Sequence, residues 1–153
     1  MDYIVKQKTN NWMQMSFDAV SENESLARIA VASFVTPLNP TLEELADIKT
    51  AVCEAVTNSI IHGYEEGKGT IDLRCRLRGD LLEVEIEDQG RGIGDIDQAM
   101  EPLFTTKPDK DRSGMGFSFM EAFMDELEVS SVVGMGTLVK MKKKLGTRSW
   151  LEL

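Results

Sequence analysis

Two runs of strictly alternating residues, separated by two residues, leave this chain little choice of local structure. Ile71, Leu73, Cys75 and Leu77 alternate with Asp72, Arg74, Arg76 and Arg78; Leu82, Val84 and Ile86 alternate with Glu83, Glu85 and Glu87. Period two is the mark of a half-buried strand, and Gly79-Asp80 is the kind of turn that closes an antiparallel hairpin. Such a turn sets Leu77 opposite Leu82, Arg76 opposite Glu83 and Arg74 opposite Glu85. Apolar residues then meet apolar ones, and arginines meet glutamates across the strands. The charged side reads as a solvated sheet face, where ion pairs are worth little.

The remaining segments build around that hairpin. Met13, Met15, Phe17 and Ala19 alternate with Gln14, Ser16 and Asp18, a further strand. Ser21-Glu22-Asn23-Glu24 has capping-box spacing. It predicts a helix that turns Leu26, Ile29, Ala30, Phe34 and Val35 to the core, leaves Arg28 nearer the polar side, and stops at Pro37. Thr41-Leu42-Glu43-Glu44 predicts a second, longer helix running to His62, with Gly63 as its left-handed cap. From Asp88 to Gly116 no periodic segment is long enough for a helix, and a loop of that length in a compact domain is usually functional. Helical spacing resumes over 117–126. Leu127–Val133 and Thr137–Met141 form a last hairpin around Gly134-Met135-Gly136, closed by Lys142, Lys143 and Lys144. This order predicts an α+β two-layer sandwich, a mixed and mostly antiparallel sheet with helices on one face. Residues 13–145 form one domain, between a loose 1–12 extension and a 146–153 tail.

Composition narrows the function classes. The 153 residues are 42% hydrophobic, enough for a core without disulfide or metal staples. Seventeen Lys and Arg against 26 Asp and Glu give a formal charge of −9. That balance argues against direct nucleic-acid or anionic-membrane binding, which need a basic face. Two cysteines, Cys53 and Cys75, make neither a disulfide framework nor a zinc site, and a single His excludes His-rich metal chemistry. The start lacks a signal-like apolar region, and no apolar run reaches the ~18 residues that span a bilayer. A cytoplasmic location fits best.

Three constellations carry possible chemistry. Glu54, Asn58 and His62 fall at i, i+4 and i+8 of the long helix, a carboxylate, an amide and an imidazole in one row. Taken alone, that row is also what a solvated helix face looks like. Asp88-Gln89-Gly90-Arg91-Gly92-Ile93-Gly94 follows a strand directly. Its glycines allow backbone near a flat ligand, and Asp88 can accept from an exocyclic amine; a simple turn is the plain alternative. Arg112-Ser113-Gly114-Met115-Gly116-Phe117 leads into a helix, where free N–H groups and an Arg favour phosphate. Walker and protein-kinase glycine patterns are absent.

In their order and spacing, Glu54-Ala-Val-Thr-Asn58-Ser-Ile-Ile-His62, Asp88-x-Gly90-x-Gly92 and Gly114-Met-Gly116-Phe resemble the Bergerat (GHKL) ATP-binding superfamily. Within it the chain is similar to the small serine kinases that act as anti-sigma factors in endospore-forming bacteria. Pro102–Pro108, Arg112–Phe117, Asn23–Arg28 and His62–Glu66 add to that likeness, which covers roughly 13–145. The resemblance implies a serine-protein kinase that uses ATP with Mg²⁺ and leaves ADP. It would bind and inhibit a sporulation sigma factor and phosphorylate its anti-anti-sigma antagonist. On these residues it implies Glu54 as general base, Asn58 as Mg²⁺ ligand, and Asp88 as reader of the adenine amine with Thr137 helping through water. Gly90, Gly92, Ser113, Gly114, Met115 and Gly116 would line the nucleotide, Thr105, Thr106 and Lys107 would belong to its lid, and Arg112 would touch the γ-phosphate. Arg28 would contact the sigma factor: with Lys49 it is one of two cations among nine acids between Asp18 and Glu66. A homodimer is implied as well. Two alternatives stay open: a related kinase opposing a stress-response sigma factor, and a nucleotide-binding switch without turnover.

Overall fold

The structure, a computed structural model, describes residues 9–101 and 116–146. Strand β1 (Asn10–Asp18) leads to helix α1 (Glu22–Phe34), a 3₁₀ turn over Thr36–Leu38, and helix α2 (Leu42–Asn58), which runs into a π-turn, Ser59–Gly63. Strands β2 (Thr70–Arg78) and β3 (Leu81–Asp88) follow, then the short helix α3 (Ile96–Ala99), helix α4 (Gly116–Phe123), and strands β4 (Glu126–Val132) and β5 (Gly136–Lys144). Among the described residues five strands lie in the order β1-β2-β3-β5-β4, and their four pairings are antiparallel. The expected architecture therefore holds, with a purely antiparallel sheet where a mixed one was allowed.

The hairpin register is the one that its two-residue turn dictates: Leu77 faces Leu82, Arg76 faces Glu83 and Arg74 faces Glu85. One face of the sheet sends Ile71, Leu73, Leu77, Leu82, Val84 and Ile86, all fully buried, into a single core with the helices. The other face carries charge. Arg74 reaches Glu85 at 3.0 Å and Glu87 at 3.2 Å, and Lys142 lies 3.7 Å from Glu126. Strand β1 starts at Asn10, ahead of the alternation, because Asn10 and Asn11 continue the pairing with Arg78 and Leu77.

Helix α1 departs from expectation twice. Ser21 has helical backbone angles and makes no side-chain cap; Glu24 instead accepts the Thr57 hydroxyl at 2.7 Å, across to α2. The inward face is Ala27 and Val31, followed by Val35, while Leu26 (45% exposed) and Ile29 (63%) face outward. The reason is close packing: Ala27 meets a partner helix whose own buried positions include Ala51 and Ala55, and small residues let the two backbones approach. The capping box of α2 does form, with Thr41 accepting from the Glu44 N–H at 3.0 Å and Glu44 from that of Thr41 at 2.8 Å. Its far end differs. The helix widens into the π-turn, Gly63 is not left-handed, and positive φ falls on Glu65 and Glu66 instead. Beyond β3, the segment expected to hold no helix contains α3, capped by Asp95 on the Gln98 N–H at 3.0 Å.

Candidate functional site

Asp88, the last residue of β3, is 2% exposed. Its carboxylate accepts from Ser59 Oγ at 2.8 Å and from the Gly90 N–H at 2.9 Å. The Thr137 N–H of β5, its partner in register, is a third donor. Burial pushes the Asp88 pKa above its ordinary value, and these three donors pull against it. A carboxylate offers about four lone-pair sites, so the set leaves one acceptor position for a ligand donor. That is the chemistry an exocyclic amine requires.

Ordinary helical spacing turns Ser59 inward: at 100° per residue it shares the arc of Val52, Ala55 and Val56, all buried. The π-turn begins at Ser59, and such turns recur at functional sites. Ser59 takes Asp88, while Asn58 stays half-buried at the last position of α2. His62, expected in a row with Glu54 and Asn58, lies in the π-turn and so leaves that row; its carbonyl accepts from Arg91 Nε at 2.9 Å. Glu54 remains one turn before Asn58. It faces Gly116, where a Cβ would come within 3.3 Å of Glu54 Oε2. The carboxylate, the amide and the start of the described part of α4 therefore converge.

The glycine segment is seated by backbone. A Cβ on Gly90 would strike the Gly63 carbonyl oxygen at 2.2 Å, and the next residue, Arg91, donates its N–H to that oxygen at 2.9 Å. Gly92 lies against the Val132 carbonyl, and Gly136, with φ of 111°, lets the β4–β5 hairpin come against the Asp88 carbonyl. Thr137 is buried, its hydroxyl 2.9 Å from Ser131 Oγ, which also accepts the Ile93 N–H at 2.7 Å.

Of the residues expected at a site, the structure brings Asp88, Gly90, Gly92 and Thr137 together at the end of β3, beside Asn58, with Glu54 and Gly116 adjoining. Thr105, Thr106, Lys107, Arg112, Ser113, Gly114 and Met115 lie outside the described residues. Arg28 stands apart, half-buried on α1, 3.4 Å from Ser25 Oγ. It lines a groove of about 750 Å³ between α1 and α2, together with Ile29, Leu45, Lys49, Cys53 and Glu54. Sequence reasoning gave no site role to Ser59, Gly63, Tyr64 or Ser131. Gly63 and Tyr64 lay within the matched segment His62–Glu66 and Ser59 beside Asn58, whereas Ser131 had no signal.

The donor set suits a nucleotide better than a protein-caged metal. Among the described residues no group of three or more His, Cys, Asp or Glu is placed to hold a metal ion. Mg²⁺ takes few protein ligands when phosphates supply the rest, so an ion here would rest on Asn58 and phosphate oxygens. Among the described residues no helix is long and apolar enough to cross a membrane.

Residues 17–143 match the family model described as histidine kinase-like ATPase domain. The chain is 54% identical to the anti-sigma F factor of Thermoanaerobacter sp. (strain X514), over 90% of this chain and 96% of that one. Against the anti-sigma F factor of Clostridium kluyveri the identity is 52%, over 92% and 99%. With that of Oceanobacillus iheyensis it is 55%, over 88% and 93%. Among solved structures, the RsbU and RsbW domains of Rv1364c from Mycobacterium tuberculosis share the fold at a TM-score of 0.64 and 20% identity, over 88% of this chain and 32% of that longer one.

Proposed function

Because the chain belongs to the histidine kinase-like ATPase domain family, and within it to the anti-sigma F factors, we propose that it is a cytoplasmic serine-protein kinase with two partners. It holds a sporulation sigma factor inactive, and it transfers the γ-phosphoryl group of ATP to a serine of an anti-anti-sigma protein. Adenine sits at Asp88, its amine donating to the remaining carboxylate lone pair, with Thr137 assisting through water. Asn58 would hold Mg²⁺, which would supply charge neutralisation for the phosphates when bound. Lys107 and Arg112, with Thr105 and Thr106, belong to the lid around the phosphates, and Ser113, Gly114, Met115 and Gly116 line the nucleotide. Arg28 meets the sigma factor, and the active form is a homodimer.

The observation that carries this reading is the position of Glu54. Its carboxylate lies beside Gly116 and also lines the groove that contains Arg28. The anti-anti-sigma protein, docked along the same groove whose Arg28 serves the sigma factor, can thus present its serine hydroxyl to Glu54, which takes the proton as the oxygen attacks phosphorus and ADP leaves. Phosphoryl transfer asks for such positioning and charge neutralisation more than for covalent help.

Incubation with γ-labelled ATP and a candidate anti-anti-sigma protein tests the proposal. Label on a partner serine supports it. Label released only as free phosphate makes the protein an ATPase, and binding without turnover makes it a switch. Glu54→Gln should keep nucleotide binding and lose ~10²–10⁴-fold in single-turnover transfer.

A further inference from the structure

Asp88 can read a base only because β3 stops pairing with β2 at that residue and the chain turns toward α2. We infer that Tyr64 makes it stop, and is the positioning residue for the adenine-reading carboxylate. The inference rests on the assignment of Asp88 to adenine proposed above.

Ile71 pairs with Asp88, so the next pair of an unbroken antiparallel ladder is Thr70 with Gln89. The Tyr64 hydroxyl stands between them. It accepts the Gln89 N–H at 2.7 Å and donates to the Thr70 carbonyl at 2.6 Å. One phenol oxygen thus relays a contact that two backbones would otherwise make directly, and its width holds the strands apart. Both polar groups keep a protein partner although the ladder ends there. Immediately beyond, the Gly90 N–H folds back onto Asp88 Oδ1 at 2.9 Å and the chain leaves the sheet.

The wedge is itself fixed from two sides. The Tyr64 N–H donates to the Ser59 carbonyl at 2.9 Å, the i→i+5 bond of the π-turn. Its ring lies on Gly69, where a Cβ would meet ring carbons at 2.4–2.5 Å. The same turn therefore holds Asp88 through the Ser59 hydroxyl and the following residue through Tyr64. Without the hydroxyl, Gln89 N–H and Thr70 C=O are free to pair as the next rung of the ladder. Closing that gap draws Gln89 toward β2 and drags the Asp88–Gly90 turn away from Ser59.

The test titrates ADP and GDP by calorimetry into wild type, Tyr64→Phe, Asp88→Asn and the double variant, and follows amide exchange at Gln89 and Gly90 without nucleotide. Tyr64→Phe should cut the preference for ADP over GDP about tenfold, the loss of roughly one hydrogen bond, and speed Gly90 exchange. In the Asp88→Asn background the same substitution should change the preference less than twofold, because no carboxylate remains to be positioned. Gly69→Ala, which displaces the ring and keeps the hydroxyl, should reproduce the loss; it serves as the second variant if Tyr64→Phe folds poorly by its urea midpoint. Equal losses for ADP and GDP, or effects that multiply in the double variant, overturn the inference and leave Tyr64 a staple of the loop. A preference that Asp88→Asn abolishes and Tyr64→Phe leaves intact overturns the role of Tyr64 alone. A wild type without any preference overturns the adenine assignment and this inference with it.

Discussion

Gly63→Ala sets two effects of known sign against each other. Gly63 has no positive φ, so alanine adopts its backbone without strain, and alanine for glycine in a helical turn stabilises by up to ~1 kcal/mol. The new methyl, however, would lie 3.0 Å from Asp88 Oδ2 and 3.1 Å from its Cγ and Oδ1. Ordinary carbon–oxygen contact is a few tenths of an ångström longer. The carboxylate cannot simply yield, because Ser59 Oγ at 2.8 Å and the Gly90 N–H at 2.9 Å hold it. Moving it stretches at least one bond to a charged acceptor, worth ~1.5–3 kcal/mol. The net change in stability is then a loss of about 0.5–2 kcal/mol. Binding bears the effect undiluted, since the helical gain is shared by free and bound protein. An adenine contact misplaced by that amount should weaken ADP about tenfold, and GDP hardly at all. Urea unfolding gives the first quantity, and calorimetric titration with the two nucleotides gives the second. Wild-type ADP affinity in a variant that folds normally would refute the claim that glycine at this position serves the carboxylate.

The other expectations rest on burial and charge. Val31→Ala should cost about 2 kcal/mol, two methyl groups and a small cavity, whereas Ile29→Ala, on the exposed side of α1, should stay within ~0.5 kcal/mol in the same urea assay. Burial pushes the Cys75 thiol from 9.0 up to about 12; at pH 8 its native alkylation should be roughly a thousandfold slower than that of an ordinary thiol, as mass spectrometry of the labelled peptide will show. Asp88, raised above 3.8 by burial, should lose its preference for ADP over GDP at a higher pH than an ordinary aspartate would. The unfolded chain releases that proton first, so the contribution of Asp88 to stability falls as pH rises from 3.8 through its folded value, a slope that urea midpoints of Asp88→Asn should lack. Arg28→Glu should abolish sigma-factor binding in a pull-down titration, with thermal stability and ATP affinity near wild type.

What was legible in the sequence followed from short-range rules. Residues 71–86 declare their strands by alternation and their register by a turn of fixed length, so Leu77 had to meet Leu82. Thr41 and Glu44 close their capping box because both partners lie within one turn. Ser21 and Glu24 have the same spacing, yet a long-range bond from Thr57 takes the carboxylate, and spacing carries no trace of that competitor. The larger apolar residues of α1 suggested the wrong face, because a tight helix pair selects small side chains over oily ones. At the site, Asp88, Gly90 and Glu54 announced themselves through motif order. Ser59 and Tyr64 did not, because their partners Asp88 and Gln89 lie 29 and 25 residues along the chain, beyond the reach of local spacing.

The charged face of the sheet has a bearing on strand order. Each strand there carries one dominant sign: Arg74, Arg76 and Arg78 on β2, Glu83, Glu85 and Glu87 on β3, Lys140, Lys142 and Lys144 on β5, Glu126 and Glu128 on β4. A slide of two residues along any strand pairs the same signs again, so these stripes say nothing about register. They do specify neighbours. Directly apposed like charges destabilise a strand pair, and β3 beside β4 would align two glutamate columns. The lysine column of β5 separates them, in the one place where adjacency in the sheet departs from adjacency along the chain. The stripes thus act as an address code for the strand that arrives last, and salt, which screens exposed charges over about 8 Å at 0.15 M, should blur the address while leaving the apolar register untouched.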